Sequence, residues 1–220
     1  VAASGKPTIL ILVNGRPLGV EWAAEHLPAI VEAWAPGMYA GQAVAEILYG
    51  KVNPSAKLAI TIPRSVGQLQ MIYNHKPSQY FHPYAVKPST PLWPFGYGLS
   101  YTTYKYDDLK LSAKEVSQNQ NVEVSVKVTN TGQRDGVEIV QLYIRDKYSS
   151  VTRPVKELKD FARVALKAGE SKVVTFTITP DKLAFYDKKM EWIVEPGEFV
   201  VMAGASSADE SVLKENFILK

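Results

Sequence analysis

The stretch PLWPFGYGLSYTTYKY, residues Pro91–Tyr106, divides a chain of 220 residues into two parts with different sequence patterns. Its two prolines lack a backbone N–H donor, and its two glycines open backbone conformations that other residues avoid. The stretch therefore predicts neither a helix nor a central strand. Tyr and Trp side chains bury their rings while their polar groups stay in contact with water. This aromatic stretch is therefore expected to pack across a junction between two domains. It is either a rigid linker only, or Trp93, Phe95 or Tyr97 also reaches a ligand site at that junction.

The residues before this stretch alternate between strand and helix patterns. TILILV (Thr8–Val13) is a continuous apolar run, which predicts a strand buried on both faces of a parallel sheet. Helical spacing and end signals predict helices over His26–Trp34 and Gly41–Tyr49, and LAITI (Leu58–Ile62) predicts another strand. This is α/β organisation. So few elements cannot cover both faces of a sheet, so residues 1–90 are expected to be the last portion of an α/β domain that begins outside this chain.

The residues after the stretch carry a strand pattern only. Val122, Val124, Val126 and Val128 alternate with polar residues, which predicts a half-buried antiparallel strand. Further strands are predicted over Val137–Arg145, Leu158–Leu166, Val173–Ile178, Phe199–Ala203 and Asn216–Leu219. About seven strands in about 110 residues predict a β-sandwich of the immunoglobulin or fibronectin type III kind. The expected domains are residues 1–90, an aromatic linker over 91–108, and a sandwich over 109–220.

Composition excludes several classes of function. The 25 basic and 22 acidic residues are interspersed, with no basic block, so nucleic-acid binding is not indicated. Cysteine is absent, which removes disulfides, thiol catalysis and cysteine-based zinc sites. His26 has no second histidine or acidic cluster beside it, so it predicts a capping or surface residue, and no metal or cofactor is expected. No apolar run reaches the length of about 18 residues that a membrane span needs.

Polar and aromatic residues between Arg64 and Pro88 supply the candidate binding residues. Asn74 and His75 can hydrogen-bond to hydroxyl groups, and Tyr80 can stack on the face of a sugar. Trp93, in the aromatic stretch, is the fourth candidate for substrate binding. The alternative is a loop that wraps the surface with its own small cluster.

Nine short motifs together resemble the C-terminal part of the family 3 glycoside hydrolases, the β-glucosidase and β-xylosidase family. They occur in family order and cover nearly all of the chain. The motifs are VNGRP at Val13–Pro17, AIVEAWAPG at Ala29–Gly37, NPSAKL at Asn53–Leu58, IPRSVGQ at Ile62–Gln68, YNHKP at Tyr73–Pro77, PFGYGLSYT at Pro94–Thr102, VQLYI at Val140–Ile144, RPVKEL at Arg153–Leu158 and EPGEF at Glu195–Phe199. The resemblance implies a partial α/β sandwich domain followed by a fibronectin type III-like domain.

The resemblance also implies an activity: exo-acting hydrolysis of a terminal sugar with retention. Such enzymes need a nucleophile and an acid/base carboxyl group about 5–5.5 Å apart. In the family the nucleophile lies in an N-terminal barrel domain, and the acid/base residue precedes the VNGRP-like strand. Glu21, Glu25, Glu32 and Glu46 do not match the family position, so no catalytic residue is expected in this chain.

The implied partner is a saccharide, bound in a cleft that this chain shares with a missing N-terminal barrel domain or chain. Asn74, His75, Tyr80 or Trp93 would line the outer subsite of that cleft. Periplasmic or secreted location is suspected from the resemblance. The alternative function is a non-catalytic module that binds a carbohydrate or a protein.

Overall fold

The computed structural model describes residues 1–77 and 88–220. It confirms an α/β segment followed by an all-β sandwich. Tyr80 lies outside the described residues. Within the described ranges, no helix is long and apolar enough to cross a membrane.

The α/β segment contains two parallel strands and two helices. A short 3-10 turn at Ala2–Ser4 precedes strand β1 (Ile9–Leu12), helix α1 (Glu21–His26), strand β2 (Ala29–Glu32) and helix α2 (Ala40–Leu48). Strand β1 pairs with β2 in parallel, with Ile9 opposite Ala29 and Leu12 opposite Glu32. The parallel pairing of the TILILV strand and the second predicted helix are therefore confirmed.

The predicted helix over His26–Trp34 is wrong, because this segment contains β2. The residue before a proline is driven away from the helical region, and Leu27, which precedes Pro28, is extended with φ −109° and ψ 141°. Helix α1 therefore ends at His26, and the β-branched residues Ile30 and Val31 continue as a strand. Their spacing fits a helix as well as a strand, which is why the pattern alone misled.

The predicted strand over Leu58–Ile62 is also wrong. This segment contacts the aromatic stretch through separate backbone hydrogen bonds. The Leu58 N–H donates to the Tyr97 carbonyl at 2.8 Å, and Ile62 makes one isolated antiparallel bridge with Trp93. Pro63 and Pro94 lack the N–H donors that a continuous ladder would need.

Apolar side chains of β1, and of Val13 directly after it, are exposed. The exposed fraction is 44% for Ile9, 37% for Ile11 and 67% for Val13, and Trp22 on α1 is 58% exposed. The predicted burial of β1 on both faces is therefore not found with residues 1–77 and 88–220 alone. Ile9 and Ile11 lie two residues apart on β1 and therefore point to the same face, and exposed apolar area of this kind marks interaction sites.

The sandwich part of the chain contains ten strands, one short α-helix and a 3-10 turn at Asp209–Ser211. The strands and the helix are β3 (Tyr104–Leu111), β4 (Glu115–Val116), β5 (Val122–Asn130), β6 (Gly136–Asp146), β7 (Glu157–Leu166), β8 (Ser171–Ile178), α3 (Pro180–Leu183), β9 (Phe185–Tyr186), β10 (Trp192–Ile193), β11 (Gly197–Gly204) and β12 (Val212–Leu219). One sheet has the order β4-β12-β11-β6-β7 and the other β3-β5-β8, while β9 and β10 pair as a hairpin. All six strands predicted from the alternation are confirmed. The division into residues 1–90, 91–108 and 109–220 stays a prediction, and β3 begins inside the predicted linker.

The sandwich core forms where the two sheets face each other. The four alternating valines of β5, Val122 to Val128, are at most 1% exposed. Val140, Leu142 and Ile144 of β6 lie in the same core, and Phe199 stacks on Phe217 with ring centroids 5.3 Å apart. Burial of this apolar area is the main stabilising contribution to the sandwich.

Strand β6 is buried on its second face as well. Gln141 and Tyr143 alternate with the core residues, so they point away from the core, yet both are buried. The residues that cover them come from the α/β segment and the aromatic stretch. The two parts of the chain are therefore packed against each other across this face of the sheet.

Candidate functional site

The carboxyl edge of the β1–β2 pair is where ligands bind in open α/β sheets. Here Glu32 accepts hydrogen bonds from the Asn14 amide at 3.2 and 3.3 Å and from the Trp34 N–H at 3.0 Å. The Asn14 N–H in turn donates to the Trp34 carbonyl at 3.0 Å. Both Glu32 oxygens are thus engaged in joining the two loops that follow the strands. Arg16, in the first of these loops, is exposed and bonds through its backbone N–H to the Asn14 side chain.

Trp34 has a left-handed backbone conformation, with φ 52°. This region is unfavourable for a bulky residue and recurs at functional sites. No sequence signal indicates this conformation, because Trp34 fits the helical spacing that predicts a helix over His26–Trp34. Its position at the carboxyl edge makes it a further candidate for ligand contact.

The other glutamates of the α/β segment are either paired with a cation or exposed to solvent. Glu21 lies 3.4 Å from the Arg64 guanidinium. Glu46 accepts from Lys51 at 2.8 Å and from Gln42 at 3.0 Å, and these hydrogen bonds hold the pKa of its carboxyl below the ordinary value. A general acid needs a raised pKa, so Glu46 is poorly suited to that role. Glu25 is exposed on α1.

Trp93 lies in the aromatic stretch, where its backbone forms the bridge to Ile62. Its ring is half-buried and lies nearly parallel to the ring of Tyr97, with centroids 6.4 Å apart and an interplanar angle of 6°. Phe95 lies between Trp93 and Tyr97 in the sequence, but its ring stacks on Tyr73 instead, with ring centroids 4.3 Å apart. The predicted packing of this stretch at a junction is what the structure describes.

Asn74 and His75 lie on a short arm, residues 73–77, that is docked on the sandwich. The Val155 N–H donates to the His75 carbonyl at 3.0 Å, and Lys76 Nζ donates to the Thr152 carbonyl. His75 Nδ1 lies 2.8 Å from the Lys76 carbonyl oxygen, and Asn74 is half-buried in the turn. The arm therefore has a fixed position at the entry to β7.

Tyr73 joins the arm to the aromatic stretch. Its ring lies against Phe95 and, edge-on, against Tyr143, with centroids 5.9 Å apart in the second pair. Its hydroxyl accepts a hydrogen bond from the Leu158 N–H at 3.2 Å. The structure thus brings the segments that carry Asn74, His75 and Trp93 to one place, which we call the junction surface. Tyr80, the fourth candidate, lies outside the described residues.

Gln141 is the main polar contact beneath the junction surface. Its amide donates to the carbonyls of Gly96 at 3.2 Å and Ala205 at 2.6 Å, and its oxygen accepts from the Tyr143 hydroxyl at 2.5 Å. Burial raises the pKa of that hydroxyl, so it stays a donor. A glutamine in the apolar run VQLYI is the signal that could have predicted this contact.

A buried ion pair forms the second polar contact. Lys57 Nζ lies 3.2 Å from Glu138 Oε1, and their side chains are only 12% and 2% exposed. Lys57 also donates to the Gly98 carbonyl at 3.1 Å, and the Tyr106 hydroxyl donates to Glu138 at 2.8 Å. Burial, and then the neighbouring Glu138 charge, raise the pKa of the Tyr106 hydroxyl. The pair joins the α/β segment, the aromatic stretch and β6.

Comparison with family models gives two matches, one after the other along the chain. Residues 1–101 match the Glycosyl hydrolase family 3 C-terminal domain, and residues 138–207 match a Fibronectin type III-like domain. Within the described residues, no group of three or more histidines and carboxylates is arranged to hold a metal ion.

Curated relatives and solved structures agree with these matches. The chain is 44% identical to a beta-xylosidase of Formosa agariphila, over 99% of this chain and 30% of that protein. It is 44% identical to a periplasmic beta-glucosidase of Salmonella typhimurium, over 94% of this chain and 28% of that protein. A β-glucosidase structure from Erythrobacter marinus superimposes with a TM-score of 0.96 at 44% identity, covering 100% of this chain and 29% of that one.

A β-glucosidase of Listeria innocua solved in complex with glucose superimposes with a TM-score of 0.91 at 38% identity, covering 99% of this chain and 31% of that chain. The chain thus spans less than a third of the length of these relatives. Both family models, their order along the chain and the fold lead to the same assignment. The chain belongs to the family 3 glycoside hydrolases, of which it represents the C-terminal region.

Proposed function

We propose that the chain is part of a retaining, exo-acting β-glycosidase, and that it supports the substrate cleft without carrying the two catalytic carboxylates. One observation carries this proposal. Glu32, the carboxylate at the ligand-binding edge of the β1–β2 pair, is held by the Asn14 amide and the Trp34 N–H. A nucleophile or an acid/base residue has to face the scissile bond instead.

The exposed apolar side chains of β1, of Val13 directly after it and of α1 support a shared cleft. Ile9, Ile11, Val13 and Trp22 would contact an N-terminal barrel domain or chain that supplies the reactive acids. Relatives of about three times this length, named as β-glucosidases and β-xylosidases, are consistent with such a further part.

The junction surface would line the outer part of that cleft. Asn74 and His75 offer hydrogen bonds to sugar hydroxyls, and the half-buried Trp93 ring offers a stacking face. The short contacts that fix the arm and the aromatic stretch would hold these groups in place. Tyr80 is proposed as a fourth contact, from its place in the sequence alone.

Hydrolysis assays with the purified 220-residue chain test the proposal. We expect no release of nitrophenol from aryl β-glucosides or aryl β-xylosides above the buffer blank, because the catalytic pair is absent. As a matched control, the Glu32→Gln variant should give the same blank rate. Activity that persists through successive columns and is lost in Glu32→Gln would contradict the proposal.

A further inference from the structure

One buried lysine, Lys156, takes no part in the contacts described so far. It belongs to the RPVKEL motif at Arg153–Leu158, lies directly before β7 and is only 8% exposed. Among residues 1–77 and 88–220, Glu138 is the only other charged residue that is buried. A buried charge is unfavourable unless it is paired and hydrogen-bonded, so the contacts of this ammonium group indicate its role in the fold.

The Lys156 ammonium group contacts the loop that connects β11 to β12, residues 205–211. Its Nζ donates to the Ser207 carbonyl at 2.7 Å and to Asp209 Oδ1 at 2.9 Å. The hydrogen bond from Lys156 is the main cause that holds the pKa of the Asp209 carboxyl below its ordinary value, so this group is a carboxylate at neutral pH. Lys156 therefore joins the start of β7 to this loop through charge-assisted hydrogen bonds.

The same loop contacts the aromatic stretch. The Ser207 N–H donates to the Phe95 carbonyl at 2.9 Å. Beside this contact, the Gln141 amide joins the Ala205 carbonyl to the Gly96 carbonyl. Two adjacent residues of the aromatic stretch are therefore held by the loop between β11 and β12.

The position of Phe95 affects both sides of the junction surface. Its ring stacks on Tyr73, with centroids 4.3 Å apart, and Tyr73 begins the arm that carries Asn74 and His75. Trp93 lies two residues before Phe95 in the same stretch. Because closely packed side chains transmit small shifts to their neighbours, a displacement of the Phe95 backbone would move Trp93 and the arm together.

We propose that Lys156 is a positioning residue of the junction surface. It holds the backbone of Ser207, Ser207 holds Phe95, and Phe95 fixes the place of Trp93 and of the arm. Lys156 lies within the match to the Fibronectin type III-like domain, so this domain shapes the proposed cleft through a buried side chain. This role in the cleft rests on the proposed function, in which the junction surface lines it.

Nuclear magnetic resonance of the isotope-labelled 220-residue chain tests this role with the Lys156→Met variant. Methionine keeps an apolar stem but cannot donate to the Ser207 carbonyl. In the unmodified chain, a scalar coupling should be detected across the hydrogen bond from the Ser207 N–H to the Phe95 carbonyl. We expect this coupling to be lost in Lys156→Met, because the Ser207 carbonyl is no longer held.

The candidate binding residues provide the second readout. The Trp93 indole N–H signal, which is identified by its loss in Trp93→Phe, should shift in the folded Lys156→Met variant. The backbone amide signals of Asn74 and His75 should shift as well. These signals report the native state, so a lysine that only added stability would lower the free energy of unfolding on its removal and leave them in place.

Lys214→Met is the matched control. Lys214 donates to the same Asp209 Oδ1, at 3.0 Å, but it lies on β12 and its side chain is 47% exposed. The coupling and the Trp93, Asn74 and His75 signals should be those of the unmodified chain.

Circular dichroism shows whether each variant is folded. If Lys156→Met does not fold, Asp209→Ala decides the question, because it removes an acceptor of Lys156 at a side chain that is 70% exposed. The same signals should then shift by a smaller amount.

A coupling that persists in the folded variant overturns the proposal, as do unchanged signals of Trp93, Asn74 and His75. No sugar enters these measurements, so their outcome is independent of the hydrolysis assay. The positioning role and the proposed function can therefore fail separately.

Discussion

The Gly96→Ala variant is expected to lose about 3 kcal/mol of unfolding free energy, from left-handed strain plus overpacking. Gly96 is buried with φ 80°. A Cβ at this position would lie 2.0 Å from Gln141 Oε1 and 2.9 Å from Gln141 Cδ. The Gln141 side chain cannot move aside without giving up its hydrogen bonds to Gly96, Ala205 and Tyr143. Urea unfolding followed by circular dichroism measures the change.

The Gly169→Ala variant measures the cost of a left-handed backbone conformation without a steric contact from the added Cβ. Gly169 has φ 78°, yet nothing lies within 4 Å of its Cβ position. Alanine there should cost only about 1 kcal/mol, the penalty for a left-handed residue. Equal losses in the two variants would show that Gln141 does not hold the aromatic stretch.

The Lys57→Met variant should lose about 3–5 kcal/mol of unfolding free energy, the cost of leaving a buried charge without its partner. Glu138 would then keep only the Tyr106 hydroxyl as a described donor at 2.8 Å. Lys51→Met is the matched control, because Lys51 is 73% exposed in its pair with Glu46. Its loss should stay below about 1 kcal/mol.

A double-mutant cycle identifies the cause. Glu138→Gln keeps an oxygen that can accept from Tyr106 but removes the charge. Combined with Lys57→Met, it should restore part of the loss, because no unpaired charge remains. Additive losses in the double variant would contradict the interpretation of Lys57 and Glu138 as a coupled pair.

The sandwich was predictable because most of its strands have one buried and one solvated face. In β5 this difference produces the period-two pattern of Val122 to Val128, which the structure confirms. Strand β6 departs from the pattern because the aromatic stretch and the arm cover its second face. Gln141 and Tyr143 in β6 are thus buried by residues that are distant in the sequence. A local sequence pattern does not specify such a contact.

The α/β segment was harder to predict, since its strands have few neighbours in this chain. Ile30 and Val31 fit a helical stripe or a strand, and pairing with β1 decides for the strand. Residues brought together from distant parts of the sequence, such as Lys57 with Glu138 and Tyr73 with Tyr143, required the tertiary structure. The roles of Asn74, His75, Tyr80 and Trp93 stay proposals.

The central claim is that the nucleophile lies outside these 220 residues. A retaining glycosidase forms a covalent glycosyl intermediate on its nucleophilic carboxylate, so a fluorinated sugar inactivator traps that residue. We expect the intact mass of the chain to stay unchanged after incubation with 2-deoxy-2-fluoro glycosides of glucose and xylose. Addition of one sugar, mapped by peptide analysis to a carboxylate such as Glu21, Glu25 or Glu32, would contradict the claim.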